Sequence, residues 1–138
     1  MDSKELMKYQ MEASAKQVDK VLDRLADDKW SVKAGGCMSA AETAVHLTEC
    51  YVAAQTHVAG GKHEWGSYKA VGETPAELGA TMRSERAKAW EAILGSDADD
   101  VGETATQYVL LHDAYHVGQL AAMRMGCDPE WDAYSIYE

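Results

Sequence analysis

Cysteine is scarce in this chain. Cys37, Cys50 and Cys127 are its only three, and none stands in a C-x-x-C pair. An odd number cannot all pair within one chain, which argues against a disulfide scaffold and a thiolate zinc knot alike. A reducing cytoplasm is the expected setting. Long apolar runs are also missing, and nothing approaches the ~20 residues that span a bilayer. The opening Met1-Asp2-Ser3-Lys4-Glu5 has neither the basic nor the apolar stretch of a secretion signal, so no leader and no membrane partner are expected. Basic residues are few, thirteen Lys and Arg against twenty-three Asp and Glu, for a net charge of −10. They gather nowhere into a stretch that could track phosphates, so nucleic acid is not an expected partner.

What is present is an ordinary globular mixture, 46% apolar and 26% charged in 138 residues. That length suits a single domain spanning residues 1–138, able to bury one core without covalent support. No internal repeat or second composition regime interrupts it.

Four segments carry helical signals, and almost nothing reads as strand. The first is expected from about Ser3 to Asp28, where Leu6, Met7, Met11, Val18, Val21, Leu22 and Leu25 form a stripe at spacings of three and four. Ser39-Ala40-Ala41-Glu42 has the form of a capping box and opens the second, which Gly60-Gly61 should end. Thr74-Pro75-Ala76-Glu77 opens the third, with proline at the first helical position, and Gly95-Ser96 closes it. Thr104-Ala105-Thr106-Gln107 reads as a further capping box, opening a fourth helix that runs to Met125 with Gly126 at its end. Only Asp113 and Arg124 are charged in that last segment, which is therefore expected to be the most buried of the four. Helices of these lengths argue for an antiparallel four-helix bundle, with the long connection from Val58 to Glu73 leaving room for more than one helix order.

Chemistry centres on histidine. His112 and His116 lie four apart, so on a helix they point the same way and can bind one metal without distorting the backbone. The same spacing also arises by chance in helices whose histidines only bond to carbonyls or face solvent. His46, at the edge of the second helix's apolar face, suits either a third ligand reaching across to a neighbour or an exposed side chain. Three protein nitrogens with one open position is the arrangement of catalytic zinc sites. His112-Asp113-Ala114-Tyr115-His116 also differs from the H-E-x-x-H of zinc proteases by one carbon. Aspartate reaches less far than glutamate, however, and no later histidine completes that ligand set, so the protease reading is disfavoured.

Other residues have a bland and a functional reading. His57 and His63 read as solvated histidines. Glu49 could be a general base or an ordinary surface charge. Cys50, one turn after His46, could approach a metal or simply fill space. Tyr51, Tyr108 and Tyr115 could bond to a metal's ligand, though core packing is the commoner role. The acidic run Asp97 to Asp100 is most simply a solvated turn.

Trp30, Ser39 seven residues before His46, and His112-Asp113-Ala114-Tyr115-His116-Val117-Gly118-Gln119-Leu120 together resemble the DinB/YfiT-like superfamily of metalloenzymes, whose terminal signature is H-x-x-x-H-x-G-Q-L. Thr74-Pro75 and the tail from Pro129 to Asp132 fit as well. The resemblance implies a four-helix bundle, often a homodimer, with His46, His112 and His116 around zinc, nickel or a similar divalent ion. It implies a small-molecule substrate, handled by hydrolysis or by transfer involving a low-molecular-weight thiol. Gly118 would let a neighbouring helix approach, and Gln119 would hydrogen-bond near the site. The competing expectation is a non-catalytic bundle in which a metal has a structural, storage or sensing role.

Overall fold

The computed structural model describes residues 1–138, which are helical with no strand. Four long helices carry the fold: α1 (Ser3–Leu22), α2 (Ala40–Val58), α3 (Pro75–Gly95) and α4. The last consists of three contiguous stretches, an α-turn Val101–Thr104, a π-helical stretch Ala105–Leu110 and an α-helix Leu111–Cys127. Short 3-10 turns at Asp27–Lys29 and Ala133–Tyr137 complete the chain. No helix is long and apolar enough to cross a membrane.

α1 packs against α4 and α3, and α2 packs against α3 and α4, giving the order α1, α4, α2, α3 around the bundle. The 3-10 tail lies against α1. Met11, Val18, Leu47, Tyr51, Met82, Ile93, Val109, Leu120 and Met123 meet in the centre. Trp30 joins them and donates its indole N–H to the Leu25 carbonyl at 3.2 Å, which fastens the α1–α2 linker to the core.

Two helix starts follow from capping chemistry. Ser39 and Thr74 each accept the backbone N–H three residues on, while Glu42 and Glu77 reach back. Asp2 and Glu5 make a third such box at the start of α1. Each cap contributes about 1 kcal/mol.

The box expected at Thr104 does not form. α4 has already begun at Val101, and Thr104 and Thr106 turn their hydroxyls back onto the carbonyls of Asp100 (3.2 Å) and Gly102 (2.8 Å). α4 also continues through Gly126 to Cys127. α1 stops at Leu22, short of the expected Asp28: Asp23 is already extended (ψ 126°) and Arg24 follows in a left-handed conformation (φ 58°).

Buried Arg124 of α4 caps that end from outside. Its Nη1 donates to the carbonyls of Val21 (2.9 Å) and Asp23 (2.7 Å), its Nε donates to Asp128 (3.1 Å), and its guanidinium stacks on Trp131. The most buried helix is α2, not α4. Ten of its nineteen residues are buried, whereas α4 exposes Glu103, Leu111, Tyr115 and Met125 and turns its other two charged residues, Asp113 and Arg124, inward.

Candidate metal centre

α2 turns His46 toward α4, where it meets both histidines of the H-x3-H pair. Ring centroids are 4.8 Å apart for His46 and His116, 5.7 Å for His46 and His112, and 6.4 Å for His112 and His116. The tightest group of donor atoms is His46, Cys50 and His112, all within 4.8 Å of one another, a set that could hold a metal ion. Cys50 Sγ lies 3.7 Å from His46 Nε2, so the thiol does approach the histidines.

Each imidazole is prepared differently. His112 Nδ1 lies 2.7 Å from the Gln107 carbonyl, five residues back in the π-helical stretch. A ring N–H donated there fixes the tautomer and leaves the Nε2 lone pair free, the usual support for a metal-binding histidine. π-helical turns recur at functional sites, and nothing in the sequence pattern announced this one. His116 is buried, and burial together with nearby His46 lowers its pKa to about 4. His46 is lowered by burial and by His112. Both therefore stay neutral, the state a metal requires. Buried His116 Nδ1 makes no hydrogen bond of good geometry, and neither does Oε1 of Gln119, which still lies near enough to act on His116 as a hydrogen-bonding neighbour and raise its pKa against the effect of burial. A buried ring nitrogen left unbonded costs about 1–3 kcal/mol unless something outside the chain satisfies it. This donor set fits a divalent transition ion.

Cys50 is less ready. Burial, then Asp113 and Glu49, push its thiol up to about 12, so it is protonated unless a metal displaces the proton.

Asp113 does not serve this site as a base. It is fully buried, accepting from Tyr51 Oη at 2.6 Å and Ser14 Oγ at 2.8 Å. It ties α4 to α2 and α1, so its carboxylate is engaged in the core and not placed as the base of a protease-like motif. Tyr51 is accordingly a core residue.

The α2–α3 connection folds over the histidines. Glu49 is not a surface charge: it is buried, and its Oε1 accepts His63 Nε2 at 2.9 Å and the Gly66 N–H at 2.6 Å. Burial alone would raise its pKa, but those two bonds win and hold it below the usual carboxylate range. His63, expected in solvent, is mostly buried for the same reason. Gly66 holds φ at 86°, which a side chain would disfavour. Trp65 then lies parallel to Tyr108 (6.2 Å, 8°) and His112 (6.3 Å, 21°). Sequence periodicity could not find Glu49, His63 and Trp65 as a unit, because the connection has none.

The remaining candidates sit apart. His57 pairs with Asp100 at 3.0 Å, linking the end of α2 to the start of α4. Tyr115 is exposed and accepts from Gln119 Nε2 at 3.2 Å. Gly118 is exposed, and a Cβ there would meet nothing within 4 Å, so within one chain it brings no helix close. Comparison with family models, curated proteins and solved structures finds no match.

Proposed function

We propose that His46, His112 and His116 hold one divalent transition metal, zinc or nickel. The chain then acts as a metal-dependent enzyme on a small molecule, as a hydrolase or a thiol S-transferase. In this reading the four helices form an antiparallel bundle of the DinB/YfiT type, working in the cytoplasm. The observation that carries it is the meeting of three imidazoles from two helices, two of them held neutral by burial and by one another's proximity.

A metal there supplies Lewis acidity that makes water or a small thiol nucleophilic near neutral pH. The chain's own residues do the rest. Gln107 sets the tautomer of His112. Glu49 pins the connection through His63 and Gly66, so that Trp65 covers one face of His112 and limits water there. The exposed, uncharged face of α4 at Leu111, Tyr115, Gly118, Ala122 and Met125 suits the homodimer expected of the family.

Cys50 favours a second reading. As a fourth protein ligand it would close the coordination shell, which is the mark of a structural site. Metal analysis of untagged protein, with His46→Ala, His116→Ala and Cys50→Ser, separates the two. Near-stoichiometric metal in wild type and Cys50→Ser, with at least a tenfold loss of affinity in both histidine variants, supports the open site. Loss in Cys50→Ser as well as in both histidine variants supports the closed one. Trace metal throughout overturns both. Turnover of ester, amide or thiol-plus-electrophile substrates by the loaded Cys50→Ser protein is then the test of catalysis.

A further inference from the structure

A groove of about 510 Å³ opens beside His46, between α2 and the segment leading into α3. This volume lies in the range of small-molecule sites. Met38, Ala41, Val45 and Leu78 give it an apolar floor, and its only charged side chains are Glu42, Glu49 and Glu73.

The three carboxylates are not equivalent. Glu42 is neutralised by Lys33 at 3.0 Å and by its capping bonds to Ser39. Glu49 spends Oε1 on His63 and Gly66. Glu73 is engaged only through its backbone N–H, which donates to Glu77. Its solvent-exposed carboxylate makes no salt bridge within the chain. Gly72, which also lines the groove, holds φ at 87° and would drive a Cβ to 2.6 Å from Glu77 Cβ. The backbone that sets Glu73 in place is thus built closely onto the start of α3.

We propose that this groove selects a small molecule with an apolar body and a primary amine, and rejects carboxylates of the same size. The body lies on Val45 and Leu78, and the ammonium is met by Glu73 with help from Glu49. Charge complementarity sets this preference: no Lys or Arg lines the groove, Glu73 makes no ion pair, and the chain carries −10. This names the substrate class of the metal site proposed above and rests on that reading for chemistry, but not for binding.

The test therefore uses metal-free protein, titrated with hexylamine, hexan-1-ol and hexanoate, and followed by NMR shifts of Val45 and Leu78 methyls. Hexylamine is expected to bind at least tenfold more tightly than hexanol, with hexanoate weakest. Glu73→Gln should lower the amine's advantage at least threefold without changing the alcohol, and Ala41→Trp should block both. Equal binding of amine and carboxylate, no binding of any probe, or shifts elsewhere than the groove overturns the proposal. A separate zinc titration of the same metal-free protein keeps the failure of one proposal distinct from the failure of the other. Amine selectivity without zinc affinity sinks only the metal site, and zinc affinity without amine selectivity sinks only the groove.

Discussion

Replacing Asp113 by asparagine should stabilise the metal-free protein at pH 7.5, although the residue is buried and doubly hydrogen-bonded. Burial raises its pKa from 3.8 to about 6, against the opposing pull of Tyr51, Ser14 and Arg86. A change of that size makes ionisation about 3 kcal/mol less favourable in the folded chain than in the unfolded one. Above pH 6 the folded protein carries that whole cost. As pH falls from about 6 toward 3.8, the folded carboxylate takes up its proton before the unfolded one does, so this group's contribution to stability rises with acidification. Asparagine keeps an oxygen for Tyr51 and offers an N–H to Ser14, whose own hydroxyl also reaches the Met11 carbonyl at 3.1 Å. One amide hydrogen is left without an obvious partner, at a cost of about 1 kcal/mol. The net expectation is a gain of about 2 kcal/mol at pH 7.5, shrinking through zero to a loss that approaches about 1 kcal/mol near pH 3. Urea unfolding of both proteins at several pH values measures it. His116 titrates in the same window with the opposite sign, because a lowered pKa loses stability as pH falls below 6.5. It is common to both proteins, so the difference between them isolates Asp113. An asparagine variant less stable than wild type by 1 kcal/mol or more at pH 7.5 would refute the argument and show the ionised carboxylate to be an asset.

Arg124→Ala should cost about 2–3 kcal/mol in urea unfolding, because it strands the buried Val21 carbonyl and the part-buried Asp23 carbonyl where α1 ends and frees Asp128. Lysine, with no planar fork to reach both carbonyls and Asp128, should recover less than half of that. Zinc affinity should be unusually resistant to acid. Three free imidazoles would lose about a thousandfold between pH 7.5 and 5.5, but with His116 lowered to about 4 the loss should not exceed about a hundredfold, measured by competition with a chelator. Glu49→Ala should release the covering connection, speeding hydrogen exchange of the Gly66 amide by about ten- to a hundredfold, as loss of a charge-assisted bond of about 1.5–3 kcal/mol requires. Unchanged exchange there would mean that Trp65 alone holds the segment over His112.

Where the chain's structure is local, the sequence was readable. Ser39 and Thr74 announce their helices because a capping box is complete within four residues. The same pattern misled at Thr104, since Thr-x-x-Gln also fits a helix interior, where the hydroxyl bonds to the carbonyl four residues back. The end of α1 was unreadable for a different reason: its cap, Arg124, lies about a hundred positions away. The face of α4 was misjudged because hydropathy counts charges as outward. Asp113 and Arg124 face inward here because each finds two or more partners on α1 or α2, while Leu111 and Met125 are left outside. At the site, spacing alone brought out His112 and His116, whose relation is fixed by one helical turn. That His46 faces them, and that Cys50 comes with it, depends on how α2 rotates against α4, which periodicity left open.

That rotation is set by polar contacts as much as by packing. Tyr51 lies five residues after His46, and its hydroxyl reaches the carboxylate one residue after His112. The bond thus runs between the two helices that bear the histidines and constrains how their faces are presented. Ser14 extends the tie to α1, and Arg86, held by Asp19 at 2.8 and 3.0 Å, supplies an opposing charge that favours the carboxylate. A core of aliphatic residues alone would let α2 turn by several degrees at little cost, enough to separate imidazoles that must converge on one ion. A short bond between two particular atoms permits much less. On this reasoning the buried aspartate costs stability and secures the geometry of the histidines. Asp113→Leu, which breaks the bond without leaving a charge, should therefore weaken metal binding even where it leaves the fold intact.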